Sequence, residues 1–165
     1  MPFTPFHMGP GILIKSVLNG SFSLMVFGWA QIVMDLQPLF ALITGEGELH
    51  GFSHTYLGAT ILAIFSALSG KYLAQLGLYM LGVTSSYKNN IPWIIVIFSA
   101  FVGSYSHVFI DSIMHSDMRP LYPFSNVNSW LGYIDVSVLH DICLYTGLIG
   151  AGIYFVVQWK NEKYV

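Results

Sequence analysis

Residues 91 to 110, IPWIIVIFSAFVGSYSHVFI, carry no formal charge and end at Asp111. Residues 142 to 159, ICLYTGLIGAGIYFVVQW, are equally free of charge and stop before Lys160 and Lys163. At 1.5 Å of rise per residue, about 20 apolar residues cross a hydrocarbon core of roughly 30 Å. Both runs therefore predict spanning helices. Residues 55 to 83 form a third such run, broken only by Lys71, which is expected to snorkel or to mark an early exit. Composition points the same way: 8% of residues are charged and 55% hydrophobic, against about 25% charged in soluble domains. Mean hydropathy is +0.64. An all-α integral membrane protein is expected, with residues 1–165 as a single membrane-embedded helical domain.

The N-terminal part admits two readings. Residues 10 to 34 are long enough for one span, but Asn19-Gly20-Ser21 is a turn signal in their middle. The alternative is a helical hairpin in which residues 8 to 18 enter and residues 22 to 35 return. Its first arm would be only about 16 Å long, hence re-entrant. The hairpin plus three transmembrane helices is the preferred reading, and four transmembrane helices the alternative. MPFTPFHMGPG lacks a basic cluster, so no cleaved signal peptide is expected. A net charge of −2 without a basic patch argues against nucleic acid. Cys143 is the one cysteine, which excludes an intramolecular disulfide. The basic residues Lys88, Lys160 and Lys163 predict the cytoplasmic side of the cell (inner) membrane, although Arg119 lies opposite them.

The histidines and aspartates are not scattered. Asp35 ends the returning arm, and His50 and His54 precede the next span. His107 and Asp111 end the third span, His115 and Asp117 follow, and Asp135, His140 and Asp141 precede the last. Tracing the chain back and forth puts all of them on one membrane face. His7 joins them only if residues 8 to 35 form a hairpin, which is why that reading is preferred.

Spacing sharpens the pattern. His107, Asp111 and His115 recur every fourth residue and share one helix face, and His50 and His54 have the same spacing. Imidazoles and carboxylates projecting inward from helices are how bundle metal sites are built. Nitrogen and oxygen ligands without a thiolate cluster suit zinc, manganese or iron. Some of these residues have plainer explanations. A lone interfacial histidine is commonly a hydrogen-bonded surface residue. His140 and Asp141 fit the first turn of the last helix, where Asp complements the dipole. Asp135 fits a solvated loop, and Glu46 and Glu48 face solvent in TGEGELHG. His107 and Asp111 resist such an account, because ionisable groups inside a span are rare and usually functional. The many aromatic residues fit interfacial belts.

At these residues the chain resembles the YdjM-like family of predicted membrane-bound metal-dependent hydrolases. That family's pattern is an early His, an Asp-rich helix end, a His-Arg-Gly-x-Thr-His-Ser element and a later Ser-His-x-x-x-Asp element. FHMGPG supplies His7, IVMDLQP supplies Asp35, LHGFSHTYLGA supplies His54, and GSYSHVFIDSIMHSDMRPLYPF supplies His107 and Asp111. The matches keep the family's order over about residues 5 to 125. Gln37 stands where the family has a second carboxylate. Leu49 stands at the first His of the His-Arg-Gly element and His50 at its Arg, unless a one-residue slip lets His50 replace that His.

The resemblance implies a membrane-embedded metal hydrolase with His7, Asp35, His54, His107 and Asp111 as ligands of a divalent ion. Zinc is the leading expectation, and manganese and iron are the alternatives. His50, His115 and Asp117 are expected at the catalytic step, at a second metal or behind the ligands. A site at the lipid–water boundary implies an amphiphilic substrate carrying an ester or phosphoester, with membrane lipid as the surroundings. On the topology above, the site faces the non-cytoplasmic side. Three other readings remain. A metal-ion-binding or transporting protein is disfavoured by polar groups at helix ends, since transport sites lie near the midplane. A bis-histidine haem protein fits the carboxylates poorly. The last is a structural membrane protein with a polar interfacial cluster.

Overall fold

The computed structural model describes residues 5–82 and 90–163. Among the described residues all regular structure is helical, with six α-helices and three short 3-10 turns. The helices are α1 (Met8–Leu18), α2 (Leu24–Met34), α3 (Leu36–Thr44), α4 (Tyr56–Met80), α5 (Trp93–Met114) and α6 (Val136–Lys163). Lys88, one of the residues on which orientation was read, lies outside the described residues.

The N-terminal reversal sits at the expected turn. Asn19 closes α1 with a φ of 42°, a left-handed backbone that Asn tolerates. The Lys15 ammonium donates to the Asn19 carbonyl at 2.6 Å and to the Phe22 carbonyl at 2.9 Å, tying both sides of the turn. Ser23 then caps α2, its Oγ accepting from the Val26 amide.

The returning arm runs further than expected. Pro38 has no amide hydrogen to give the Met34 carbonyl and crowds it, so the helix is interrupted at Asp35. The backbone there stays helical (φ −78°, ψ −4°), and α3 carries on to Gly45, a left-handed cap (φ 72°). Leu24–Thr44 is thus long and apolar enough to cross a membrane, as are Tyr56–Met80, Trp93–Met114 and Val136–Lys160. The reversal matches the hairpin, while the four spans match the alternative. At 11 residues α1 is too short to cross.

Helices α2, α4 and α5 pack on one another, and α1 packs on α6. The three-helix contact uses small residues: Ala67, Ala74 and Ala100 surround Val26 and Val96. In lipid, where apolar side chains gain nothing by leaving water, close backbone approach drives such association. The α1–α6 contact shows it most clearly. A Cβ on Gly9 would strike the Cys143 carbonyl oxygen, and one on Gly150 would lie 2.6 Å from Leu13 Cα. The rest of α6 faces outward through Leu148, Ile149 and Phe155.

Lys71 does not end its helix. It is buried on α4 with its Nζ 4.2 Å from the centroid of the Trp93 ring, and α4 continues to Met80. The aromatic face supports the charge that the hydrocarbon would not.

Candidate metal centre

Four separate segments deliver five side chains to one buried point. His7 ends the 3-10 turn that leads into α1, and Asp35 occupies the joint between α2 and α3. His54 ends the 3-10 turn Phe52–His54 ahead of α4. His107 and Asp111 stand one turn apart near the end of α5. His54 and His107 are 1% and 0% exposed, too buried for surface histidines. His7, Asp35 and Asp111 are buried as well.

Asp111 is the hub. Its Oδ2 lies 3.1 Å from His107 Nε2 and 3.6 Å from His54 Nε2. Its Oδ1 lies 3.2 Å from His7 Nε2, and Asp35 Oδ1 lies 3.4 Å from His107 Nε2. Near as they are, the three Nε2 atoms make no aligned hydrogen bond among the described residues. Leaving a buried polar atom unpaired costs about 1–3 kcal/mol, so such atoms call for an explanation. Nitrogens and carboxylate oxygens close together yet misaimed for hydrogen bonding fit ligands aimed at a shared cation. His7, His107 and Asp111 offer donor atoms within 4.8 Å of one another, as do Asp35, His54 and His107. A nitrogen–oxygen set without sulfur suits zinc, manganese or iron.

The outer edges of two rings are fixed by residues that sequence reasoning did not single out. His107 Nδ1 lies 2.6 Å from Gln31 Oε1, while Gln31 Nε2 donates to the Gly103 carbonyl at 3.1 Å. That orientation makes the Gln31 oxygen an acceptor, so His107 holds a proton on Nδ1 and turns Nε2 towards the centre. His54 Nδ1 lies 2.9 Å from Ser53 Oγ, whose own hydroxyl donates to Gln37 Oε1. His54 Nε2 is left bare. Burial first, and then His107 beside it, push the His54 pKa down to about 3, against the opposing pull of Asp111. Gln37, standing where the family pattern has a carboxylate, therefore serves Ser53 rather than the centre. Gln31 had one legible signal: it precedes Asp35 by four residues, on the same face of an otherwise apolar arm.

A second group borders the first towards the surface. His50 Nδ1 lies 2.8 Å from Asp117 Oδ2, and the His50 and His115 rings stack at 4.2 Å. His115 Nε2 is 3.9 Å from Asp111 Oδ1, which joins the two groups. Burial and the neighbouring His50 lower the His115 pKa. Partial burial would raise that of Asp117, but the bond from His50, its charge and a backbone hydrogen bond together outweigh it and hold the carboxyl below its usual range. Beside His50 a recess of about 280 Å³ opens between Phe52, Arg119 and Tyr122.

The remaining candidates stay outside. His140 stacks on Phe6 at 4.7 Å, in the second turn of α6 rather than the first, and Asp141 is exposed. Asp135 is exposed and accepts from the Ser137 amide at 2.8 Å, starting α6. Glu46 and Glu48 are exposed.

Residues 14–165 match the family model described as YdjM inner membrane protein. The match takes in both groups of side chains except His7, which precedes it. No curated protein and no solved structure matches the chain.

Proposed function

The chain belongs to the YdjM inner membrane protein family, and from that premise we propose that it is a hydrolase dependent on a divalent metal ion. The supporting observation is the set of three buried, unpartnered Nε2 atoms around the Asp111 carboxylate. His7, Asp35, His54, His107 and Asp111 hold the ion. Zinc is the first choice, with manganese or iron as alternatives. When bound, such an ion supplies an acidified water and polarises a scissile carbonyl or phosphoryl group.

The protein's own residues do the rest. Gln31 and Ser53 keep the His107 and His54 protons on Nδ1, away from the ligand side. The surrounding helices exclude bulk water. His50, His115 and Asp117 stand between the buried centre and the surface, on the side from which substrate arrives. The recess beside them carries Phe52 and Tyr122 with Arg119, which suits an amphiphilic ester or phosphoester. The distribution of the basic residues favours the non-cytoplasmic side for this face. A binding or transport protein without catalysis is the other reading: Asp35, midway along Leu24–Thr44, favours it, while His54, Asp111 and His115 at helix ends argue against it.

The test is elemental analysis of the detergent-purified chain, joined to hydrolysis of lipid ester and phosphoester analogues before and after chelation. Stoichiometric metal and an activity lost on chelation and restored by metal are expected. A folded chain that binds no metal refutes the reading.

A further inference from the structure

We infer that the centre holds two cations, the second bound by His50, His115 and Asp117 and bridged to the first by Asp111. The inference rests on the metal-dependent reading above and deepens it. Asp111 turns its two oxygens to different partners. Oδ2 meets His107 and His54 at 3.1 and 3.6 Å, whereas Oδ1 faces His115 at 3.9 Å, with His7 beside it at 3.2 Å. A carboxylate with imidazoles at both oxygens has the form of a bridge between two metals, which in hydrolytic pairs stand about 3.5–4 Å apart.

The outer set is complete in its own right. His50, His115 and Asp117 offer donor atoms within 4.8 Å of one another, and His50 also reaches a set with His54 and Asp111. The His50–Asp117 bond at 2.8 Å holds two of these groups in place without an ion. The His50 and His115 rings stack at 4.2 Å. Imidazoles held side by side next to two carboxylates are donors for a cation. Charge agrees. One divalent ion neutralises Asp35 and Asp111, which leaves the Asp117 carboxylate for a second ion. That group is 55% exposed, so the second position is the one open to substrate.

The full chain in detergent is dialysed against zinc and its bound metal counted, alongside His115→Ala and Asp117→Asn. Two zinc ions per chain are expected for the parent and one for each variant. The retained ion also reports that the buried part has folded. A parent count of one, unchanged in both variants, overturns the second position and leaves the five-ligand centre standing. A parent count of zero overturns both. In manganese-loaded protein, electron paramagnetic resonance should show a coupled pair in the parent and an isolated ion in His115→Ala. Two uncoupled manganese ions in the parent would place the second ion elsewhere and refute the bridge.

Discussion

Gln31 and His107, 76 residues apart in sequence, meet at 2.6 Å inside the bundle and settle which nitrogen of the imidazole faces Asp111. Removing the amide frees the ring to turn or to change tautomer. Gln31→Ala is expected to weaken metal binding by about 10–100-fold. Gln31→Glu keeps an acceptor for the Nδ1 proton and should retain more metal than Gln31→Ala. Zinc titration of the two variants decides it, and equal losses would show that the contact is only packing.

Asp111→Ala removes the group that His7, His54 and His107 all face. Loss of metal and of any hydrolytic activity is expected, and adding His107→Ala should make neither worse. Groups that act through one ion are far from additive. A double variant markedly poorer than Asp111→Ala alone would mean that His107 works outside the centre.

Gly150→Ala tests the route by which His7 is placed. The added Cβ would lie 2.6 Å from Leu13 Cα and N, backbone atoms that cannot turn aside. Forcing α1 from α6 by overpacking costs about 1–3 kcal/mol. Metal affinity is expected to fall although no ligand has changed, while α2, α4 and α5 keep their helicity by circular dichroism. Unchanged affinity would show that His7 is held by other means.

Asp135 supplies a control on the site and a sign for pH. Its carboxylate accepts from the Ser137 hydroxyl and amide, which lowers its pKa. A folded pKa below the unfolded value, about 3.9, gives a contribution present above that value and lost as pH falls through the folded one. Asp135→Ala should therefore destabilise slightly at pH 7 and not below the folded pKa, with metal content unchanged throughout. Thermal melts at the two pH values check the first part, and elemental analysis the second.

Orientation has its own test. Cysteines placed at positions 88 and 126 of a Cys143→Ser chain should differ in intact cells, with only position 126 open to an impermeant reagent. Labelling at position 88 alone would turn the site towards the cytoplasm.

Much of the centre was legible because hydrocarbon makes ionisable groups conspicuous. His107 and Asp111 stand out in a run that otherwise has no reason to hold them, and the turn at Asn19-Gly20-Ser21 brings His7 back to their side. The neutral partners gave little sign. Gln31, Ser53 and Gln37 carry no charge, and their acceptors and donors come from turns and helices that only the packed bundle brings together. Helix limits were hidden for a related reason. Leu36, Phe40 and Ile43 continue the apolar run past Asp35, so an ionisable side chain at a joint looked like an end. At α6, the bond from the Ser137 amide to Asp135 starts the helix ahead of its apolar stretch, and so His140 and Asp141 fall inside it.

The glycine contact between α1 and α6 also sets an order of assembly. His7 leaves the ribosome ahead of the other four ligands, but the helix that α1 leans on, α6, is made after all of them. Until that final segment has entered the bilayer, α1 lacks its main support. The first of these ligands to be synthesised thus waits for α6, and a chain cut short before residue 136 would contain all five ligands without the means to seat His7. Completion of the centre in this way reports that α6 has been made and inserted.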